Sequence, residues 1–403
     1  MSFNPLKGIR ILDLTSVVVG PVCTWRLGQY GAEIIKVENP EGDLMRELGG
    51  GSPTGQHSGT YLHLNRGKRN ICLDLKKNDA TKVMDRLIAS ADVIVANMRP
   101  QALKKLGLDS ETIRGRYPDK IYCLITGYGT DGPYAGQPTY DSVVQGATGM
   151  AGLFIRRDGS PNYVPMLICD HVAGEIAAGA ILAAVVERKV NGNGSTIEVP
   201  MFETMAAFVL QEHLAQQSFD PPVGPPGDLR LLSPHNKPVK TSDGWISFTM
   251  NTDTQVRAFL RVTGREALID DARFNSVSAR AKNVSEWFEV RGTPLTSKTT
   301  EEWLELLQKA DIAAQPCHTL ETLVHDKHLS AVGLIQQEQH PTEGKTAAIR
   351  ASIKFNDAYL HLRESSQPKG WETKQLLKEM GYEASEVAAL LATGSAIAAS
   401  NRS

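Results

Sequence analysis

The sequence predicts a doubly wound α/β sheet in the first half of the chain. Apolar, β-branched runs alternate there with helical segments, and turns that contain glycine or proline separate them. Residues 8–15 are predicted to form a strand, residues 22–30 a helix and residues 33–37 a second strand. Parallel strands joined in this way need a right-handed crossover and cover on both faces of the sheet. A parallel sheet with helices on both sides is therefore expected.

The same alternation continues along the chain. A helix is predicted over residues 79–90, and further strands over residues 71–75, 92–96 and 120–125. Ligands of such sheets bind beyond the carboxyl ends of the strands. The loops expected to surround a common site are residues 15–20, 36–40, 96–100 and 126–134.

The second half of the chain changes in composition. The alanine-rich run over residues 172–188 predicts a buried core helix of about 17 residues, too short for an ordinary membrane span. From Phe219 the string FDPPVGPPGD predicts a linker or domain boundary. The second module is predicted to contain a strand over residues 245–250, helices over 253–263 and 300–310 and a turn at 315–316. The C-terminal stretch over residues 371–392 is predicted to be helical.

Composition narrows the classes of protein. The 403 residues are 41% hydrophobic, and 43 basic against 45 acidic side chains leave a net charge of −2. A disordered chain is excluded, and neither nucleic acid nor an anionic membrane is favoured as a partner. The five cysteines are far apart and contain no C-x-x-C pair, and the start of the chain resembles no secretory leader. Reduced thiols and a cytoplasmic location are expected.

The chain contains five long, specific strings, LKGIRILDLTSVVVGPVCTWRLGQYGAEIIKVENPEGD, LNRGKRNICLDLK, ADVIVANMRPQALKKLGLD, ITGYGTDGPYAGQPTYD and GSTIEVPMFETM. These strings resemble the class III CoA-transferase family. The resemblance continues to the C-terminal region. It implies a large domain with a Rossmann-like parallel sheet, a smaller α+β domain and an interlocked homodimer. The expected division is a large CoA-binding domain over residues 1–218, a small domain over 219–330 and a return to the large domain over 331–403.

The family's catalytic aspartate aligns with Asp170 in LICDHVAGE. Without the resemblance, an acidic residue just before an apolar helix is most often an N-cap. The two interpretations are compatible, since a helix N-terminus stabilises negative charge. The resemblance implies covalent catalysis, in which the Asp170 carboxylate attacks the thioester of a donor acyl-CoA. It implies no permanently bound cofactor and no metal, with coenzyme A present as part of the substrate.

The resemblance also implies a set of contacts to CoA. Lys105 is expected to face a CoA phosphate. Asn39 departs from the family, where arginine commonly follows the KVE string, so Arg66, Lys68 or Arg69 could take over the phosphate contact. The remaining CoA-binding positions implied are Val18, Leu73, Asn97, Met98, Tyr140 and Met201.

Other functions remain open from the sequence. An α-methylacyl-CoA racemase is the main alternative, but racemases carry histidine where this chain has Tyr140. A non-catalytic acyl-CoA binder would be favoured by loss of Asp170, which is present. A nicotinamide-dependent dehydrogenase would need the glycine fingerprint that SVVVGP lacks. A transfer between small or dicarboxylic acids, with succinyl-CoA as an example of a donor, is the preferred prediction, and a branched or carnitine-like acid is the alternative.

Overall fold

The computed structural model describes residues 3–399. These residues form two compact units, each of which is discontinuous along the chain. Within the described residues, the first unit extends to Thr148 and also contains Val164–Ala206 and the chain from His328 onward. The second unit contains Gly149–Tyr163 and Ala207–Lys327. The predicted boundaries at 218 and 330 differ from this division, and the short segment before Val164 had no counterpart in the prediction.

Strands of two to six residues account for the sheets. In chain order they are β1 Arg10–Leu14, β2 Glu33–Glu38, β3 Lys68–Leu73, β4 Val93–Ala96, β5 Ile121–Thr126, β6 Thr196–Pro200, β7 Val239–Lys240, β8 Trp245–Thr249, β9 Ala313–Pro316, β10 Ile335–His340, β11 Gly344–Ile349, β12 Lys354–Phe355, β13 Ala358–Tyr359 and β14 Ala396–Ile397.

Helices connect most of these strands, and short 3₁₀ helices lie at Leu44–Arg46, Ala215–Ser218 and Glu266–Leu268. In chain order the α-helices are α1 Val19–Gln29, α2 Gly59–Leu64, α3 Asn78–Ser90, α4 Pro100–Leu106, α5 Ser110–Arg116, α6 Asp141–Ala147, α7 Met150–Asp158, α8 Ile168–Asn191, α9 Met201–His213, α10 Asp253–Val262, α11 Val277–Lys282, α12 Val284–Gly292, α13 Thr300–Lys309, α14 Leu320–Leu323, α15 Lys327–Ala331, α16 Thr373–Glu379 and α17 Ala384–Ala392.

The first unit is built on a seven-stranded sheet with the order β14-β3-β2-β1-β4-β5-β6. All neighbouring pairs are parallel except β14 with β3. The strand order reverses between β1 and β4, where Leu12 lies beside both Ile35 and Ile94. Open parallel sheets bind ligands at such a reversal, beyond the carboxyl ends of the strands. The predicted α/β class is confirmed. The reversal between β1 and β4 is called the switch point of the sheet below, and a ligand site is expected beyond the carboxyl ends of these two strands.

The packing of α1 against α8 fixes the helices next to this edge. A Cβ atom added to Gly174 of α8 would lie 2.5 Å from the carbonyl oxygen of Val19, the first residue of α1. Gly20 is equally constrained, because a Cβ there would lie 2.2 Å from the Cβ of Thr15. The absence of a side chain at Gly174 therefore allows the backbones of α1 and α8 to approach closely, and at Gly20 it leaves room for the Thr15 side chain.

The helix α8 begins before and ends after the predicted run. Its apolar composition and 24 residues would also allow it to cross a membrane, and 44% of its most apolar stretch is buried inside the protein. Several apolar side chains on its surface remain exposed, among them Ile176, Val186 and Val190.

The second unit has its own core. β7, β8 and β9 form an antiparallel sheet, and side chains such as Phe259, Trp287 and Leu307 are buried beside it. The predicted turn at 315–316 is wrong, because Gln315 and Pro316 belong to strand β9 and pair with β8.

The C-terminal region is interrupted where one helical stretch was expected. Helix α16 ends at Glu379, and Gly381 has a φ of 82°, so α17 begins a new direction. The described chain then adds β14 to the edge of the large sheet, beside β3. The final residues of the sequence lie outside the described part.

Candidate active site

A cavity of about 230 Å³ lies at the switch point of the large sheet. Its walls come from the loops that follow β1, β4 and β5 and from residues at the amino ends of α1, α4, α8 and α9. This first cavity brings together Val17, Asn97, Tyr140, Asp170 and Met201. Residues far apart in the sequence meet here because the parallel strands all end at the same edge.

Asp170 is the third residue of α8 and is only 9% exposed. Burial raises the pKa of its carboxyl group to about 7, and the nearby carboxylate of Asp141 adds to the effect. A charged group removed from water is destabilised, and a like charge beside it acts in the same direction. Asp170 is therefore poised to exchange a proton near neutral pH.

Asp141 takes the capping position that the sequence suggested for Asp170. Its Oδ2 atom accepts hydrogen bonds from the backbone N–H of Cys169 at 2.7 Å and of Asp170 at 3.2 Å. The N-cap interpretation of Asp170 is wrong: α8 begins after Leu167, and these N–H groups at its amino end bind a different carboxylate.

Gln145 connects Asp141 to the segment that precedes α8. Its side-chain amide donates to Asp141 Oδ1 at 2.6 Å and to the carbonyl of Met166 at 3.1 Å. Its Oε1 atom accepts from the backbone N–H of Val164 at 2.9 Å. Asp141 and Gln145 lie one turn apart on α6. This short helix therefore binds both the amino end of α8 and the segment that precedes it.

The glycine-containing loop after β5 is anchored by two carboxylates. Glu203 accepts from the N–H of Gly129 at 2.9 Å, and Glu198 accepts from both the N–H and the hydroxyl of Thr130 at 2.8 Å. Tyr128 packs on Phe202, with ring centroids 5.5 Å apart. These two carboxylates therefore anchor the loop, which forms a wall of the first cavity.

A second cavity of about 580 Å³ lies between the ends of β1, β2 and β3. Asn39 and Leu73 line it, and Met98 lines both cavities. Three other predicted CoA contacts line the first cavity alone, namely Asn97, Tyr140 and Met201.

Two of the remaining predicted contacts lie outside both cavity walls. Val18 is fully buried and packs with Val22 and Tyr61, whereas its neighbour Val17 lines the first cavity. Lys105 is exposed in the last turn of α4.

Arg69 does not reach this edge of the sheet. It is the second residue of β3, so it lies near the amino end of a parallel strand, and its guanidinium pairs with Glu33 at 2.8 Å and with Glu379 at 2.7 Å. The other two candidates are also engaged: Lys68 pairs with a buried aspartate, and Arg66 pairs with Glu338. None of the three lines either cavity.

Asp141, Gln145 and Arg99 were not among the site residues predicted from the sequence. Asp141 directly follows Tyr140 in the PTYD string, but nothing in that string indicates a contact with residues almost thirty positions later. Arg99 follows Asn97 and Met98, lines the first cavity and is its one cationic side chain among the described residues. The available signal was a basic residue in the loop after a strand of the parallel sheet, three positions beyond the end of β4.

Comparison with known proteins gives a consistent answer. Residues 6–373 match the model of CoA-transferase family III. The chain belongs to CoA-transferase family III. It is 30% identical to a succinyl-CoA:glutarate CoA-transferase of Mus musculus, over 98% of this chain and 90% of the relative. It is 31% identical to a succinate–glutarate CoA-transferase of Agrobacterium fabrum, over 93% and 96%.

Solved structures agree with the family assignment. A CAIB/BAIF family protein from Brucella suis superimposes with a TM-score of 0.78 at 27% identity, over 94% of this chain and all of that one. The family III CoA-transferase is thus an enzyme that uses CoA thioesters, and the racemase alternative is not favoured.

Proposed function

We propose that this transferase moves CoA between an acyl-CoA donor and a carboxylic acid acceptor, with Asp170 as the covalent nucleophile. The observation that carries the proposal is the buried Asp170 carboxylate on the wall of a cavity at the switch point of the sheet. A nucleophilic carboxylate needs a site where it is poorly solvated, because water lowers its reactivity. The names of the relatives support the reaction class.

The proposed reaction has two symmetrical halves. In the first, an Asp170 oxygen attacks the donor thioester carbonyl and expels CoA thiolate, which forms an aspartyl–acyl anhydride. The thiolate then attacks the aspartyl carbonyl, releases the donor acid and leaves an aspartyl-CoA thioester. In the second, the acceptor carboxylate attacks this thioester, and the expelled thiolate attacks the acceptor carbonyl. The acceptor acyl-CoA leaves, and Asp170 is a carboxylate again.

The two cavities suggest how CoA is held. We place the thioester end in the first cavity, near Tyr140 and Met201, and a further part of CoA in the second, near Asn39 and Leu73. Met98 lines both cavities. Val18, Asn97 and Lys105 remain proposed contacts. Arg69 is withdrawn from the proposal because its guanidinium already pairs with two carboxylates.

A small or dicarboxylic acid is the proposed acceptor, with succinyl-CoA as an example of a donor. Arg99 supports a second carboxylate, because it is a cation on the wall of the first cavity and guanidinium groups pair well with carboxylates. Two relatives are named for succinate and glutarate substrates.

We further propose a homodimer in the cytoplasm. The exposed apolar side chains of α8 support a partner surface. The cysteines are all free, and four of them are buried, which suits a reducing compartment.

The test combines trapping with mass spectrometry. The enzyme is incubated with a panel of acyl-CoA donors, treated with hydroxylamine or borohydride and digested. A modification on the peptide that contains Asp170, absent from Asp170→Ala and Asp170→Asn, is expected. Acyl-CoA binding without an adduct, together with deuterium exchange at the α-carbon, would instead support the racemase chemistry.

A further inference from the structure

We propose that Asp43, together with Lys36, is a positioning residue that holds Val17 in a left-handed backbone conformation and so shapes the wall of the first cavity. The kinetic part of this inference rests on the proposed function, because turnover is its readout. Residues 15–18, which join β1 to α1, are called the elbow below.

Val17 is the strained point of the elbow. Its φ is 68°, and it is the one β-branched side chain among the non-glycine residues with positive φ in the described chain. A branched Cβ collides with the backbone in this region, so the conformation is maintained only when the surroundings impose it. Such outliers concentrate at functional sites, and Val17 lines the first cavity.

Asp43 is the side chain that binds the strained residue. Its Oδ1 atom accepts hydrogen bonds from the N–H of Val17 at 3.0 Å and of Met45 at 2.9 Å. Its Oδ2 atom lies 2.8 Å from Lys36 Nζ, and each of these side chains is 1% exposed. The carboxylate therefore connects the elbow to a buried ion pair, where the low dielectric makes both interactions strong.

The residues before Val17 are held from two other directions. Lys36 Nζ also donates to the carbonyl of Thr15 at 2.8 Å. The side-chain amide of Asn97 forms two hydrogen bonds with Ser16, one to its carbonyl at 2.9 Å and one from its N–H at 3.0 Å. Side chains from β2, from the loop after it and from the end of β4 thus fix three consecutive residues.

The position of the elbow matters because both sides of it reach the site. Val17 and Val19 line the same cavity as Asp170. Beyond the elbow, α1 packs so closely on α8 that Gly174 has no room for a Cβ atom. Release of Val17 into an ordinary conformation would therefore move a cavity wall relative to a helix that carries the nucleophile.

The experiment is a double-mutant cycle between Asp43→Ala and Val17→Gly. Glycine adopts positive φ without a steric penalty, so it reduces the need for an external clamp. We expect Asp43→Ala to lower kcat by about 10- to 100-fold with a smaller change in KM, as for a modest misplacement of reacting groups. Adding Val17→Gly is expected to recover about fivefold or more. Hydrogen exchange followed by mass spectrometry should show faster exchange over residues 15–20 in Asp43→Ala.

The matched control is Glu343→Ala. Glu343 is another buried carboxylate that accepts a backbone N–H, from Thr54 at 3.1 Å, and lies beside a basic side chain, His57. It forms no hydrogen bond with the elbow, so Val17→Gly should bring no recovery in this background. If Asp43→Ala does not fold, the pair Lys36→Met and Asp43→Leu replaces it, because this pair removes both buried charges together.

The outcomes separate this inference from the proposed function. Recovery by Val17→Gly in the Asp43 background alone supports the inference. Equal effects of Val17→Gly in both backgrounds, or unchanged kcat and exchange in Asp43→Ala, would overturn it. A wild-type enzyme that forms no adduct at Asp170 would defeat the proposed chemistry, while the exchange comparison would still decide the role of Asp43.

Discussion

Replacing Asp170 with asparagine should stabilise the protein while it abolishes transfer. Asparagine has nearly the same shape but no charge. Burial raises the pKa of Asp170 from 3.8 to about 7, so the folded state holds this proton more tightly than the unfolded state. The protonated Asp170 carboxyl group contributes its full stabilisation of the folded state below its pKa in the unfolded chain, and this stabilisation is lost as the pH rises toward 7. Ionised Asp170 therefore destabilises the wild type at alkaline pH.

The size of the effect follows from the shift. About three pKa units at about 1.4 kcal/mol each give about 4 kcal/mol above pH 7. Roughly two of these three pKa units fall between pH 5 and pH 7. The stability advantage of Asp170→Asn over the wild type should therefore grow by about 3 kcal/mol between pH 5 and pH 8.5. Urea unfolding followed by circular dichroism at the two pH values measures it.

Glu372→Gln is the control for this experiment. Burial also raises the pKa of Glu372 to about 7, although it accepts the N–H of Asn70 and lies near Arg69, and it lines neither cavity. This variant should gain stability with rising pH in the same direction while it retains activity. An advantage of Asp170→Asn that is absent at both pH values, or that shrinks as the pH rises, would refute the reasoning.

Three further outcomes are expected. Asp141→Asn removes the like charge, so the pH midpoint of kcat/KM assigned to Asp170 should fall below that of the wild type; a midpoint that rises would contradict this. Gly174→Ala places a Cβ 2.5 Å from the first carbonyl of α1, so thermal or urea unfolding should show a loss of about 1–3 kcal/mol. Lys105→Met should raise the KM for acyl-CoA, whereas Arg69→Met should leave it unchanged; the reverse result would restore Arg69 as a CoA contact.

The sheet could be predicted because its strands carry a local signal. Short apolar, β-branched runs alternate with helices, and only a few arrangements satisfy such a pattern. The last strand, β14, has two residues, too few for any periodicity, and its pairing with β3 depends on contacts between distant parts of the chain. The same limit explains the missed strand at Gln315 and Pro316, since proline normally indicates a turn.

The site was predicted in part. Asp170 was identified through the resemblance, but the role of Asp141 depends on a backbone contact across 28 residues that no local pattern encodes. Arg69 was assigned to phosphate because its string is basic. The direction of a parallel strand decides which end reaches the ligand edge, and Arg69 lies near the start of β3. A basic string predicts positive charge, but it does not predict which acidic groups that charge will pair with.

The most direct test of Asp170 as the covalent nucleophile is an oxygen-18 transfer experiment. The enzyme turns over acyl-CoA with an acceptor acid whose carboxylate carries oxygen-18, and the peptide that contains Asp170 is then weighed by mass spectrometry. The proposed reaction leaves one acceptor oxygen on the Asp170 carboxylate when the second anhydride is cleaved. We expect the label on Asp170 after turnover and none without acyl-CoA. Transfer of CoA to the labelled acid with an unlabelled Asp170 would contradict the account.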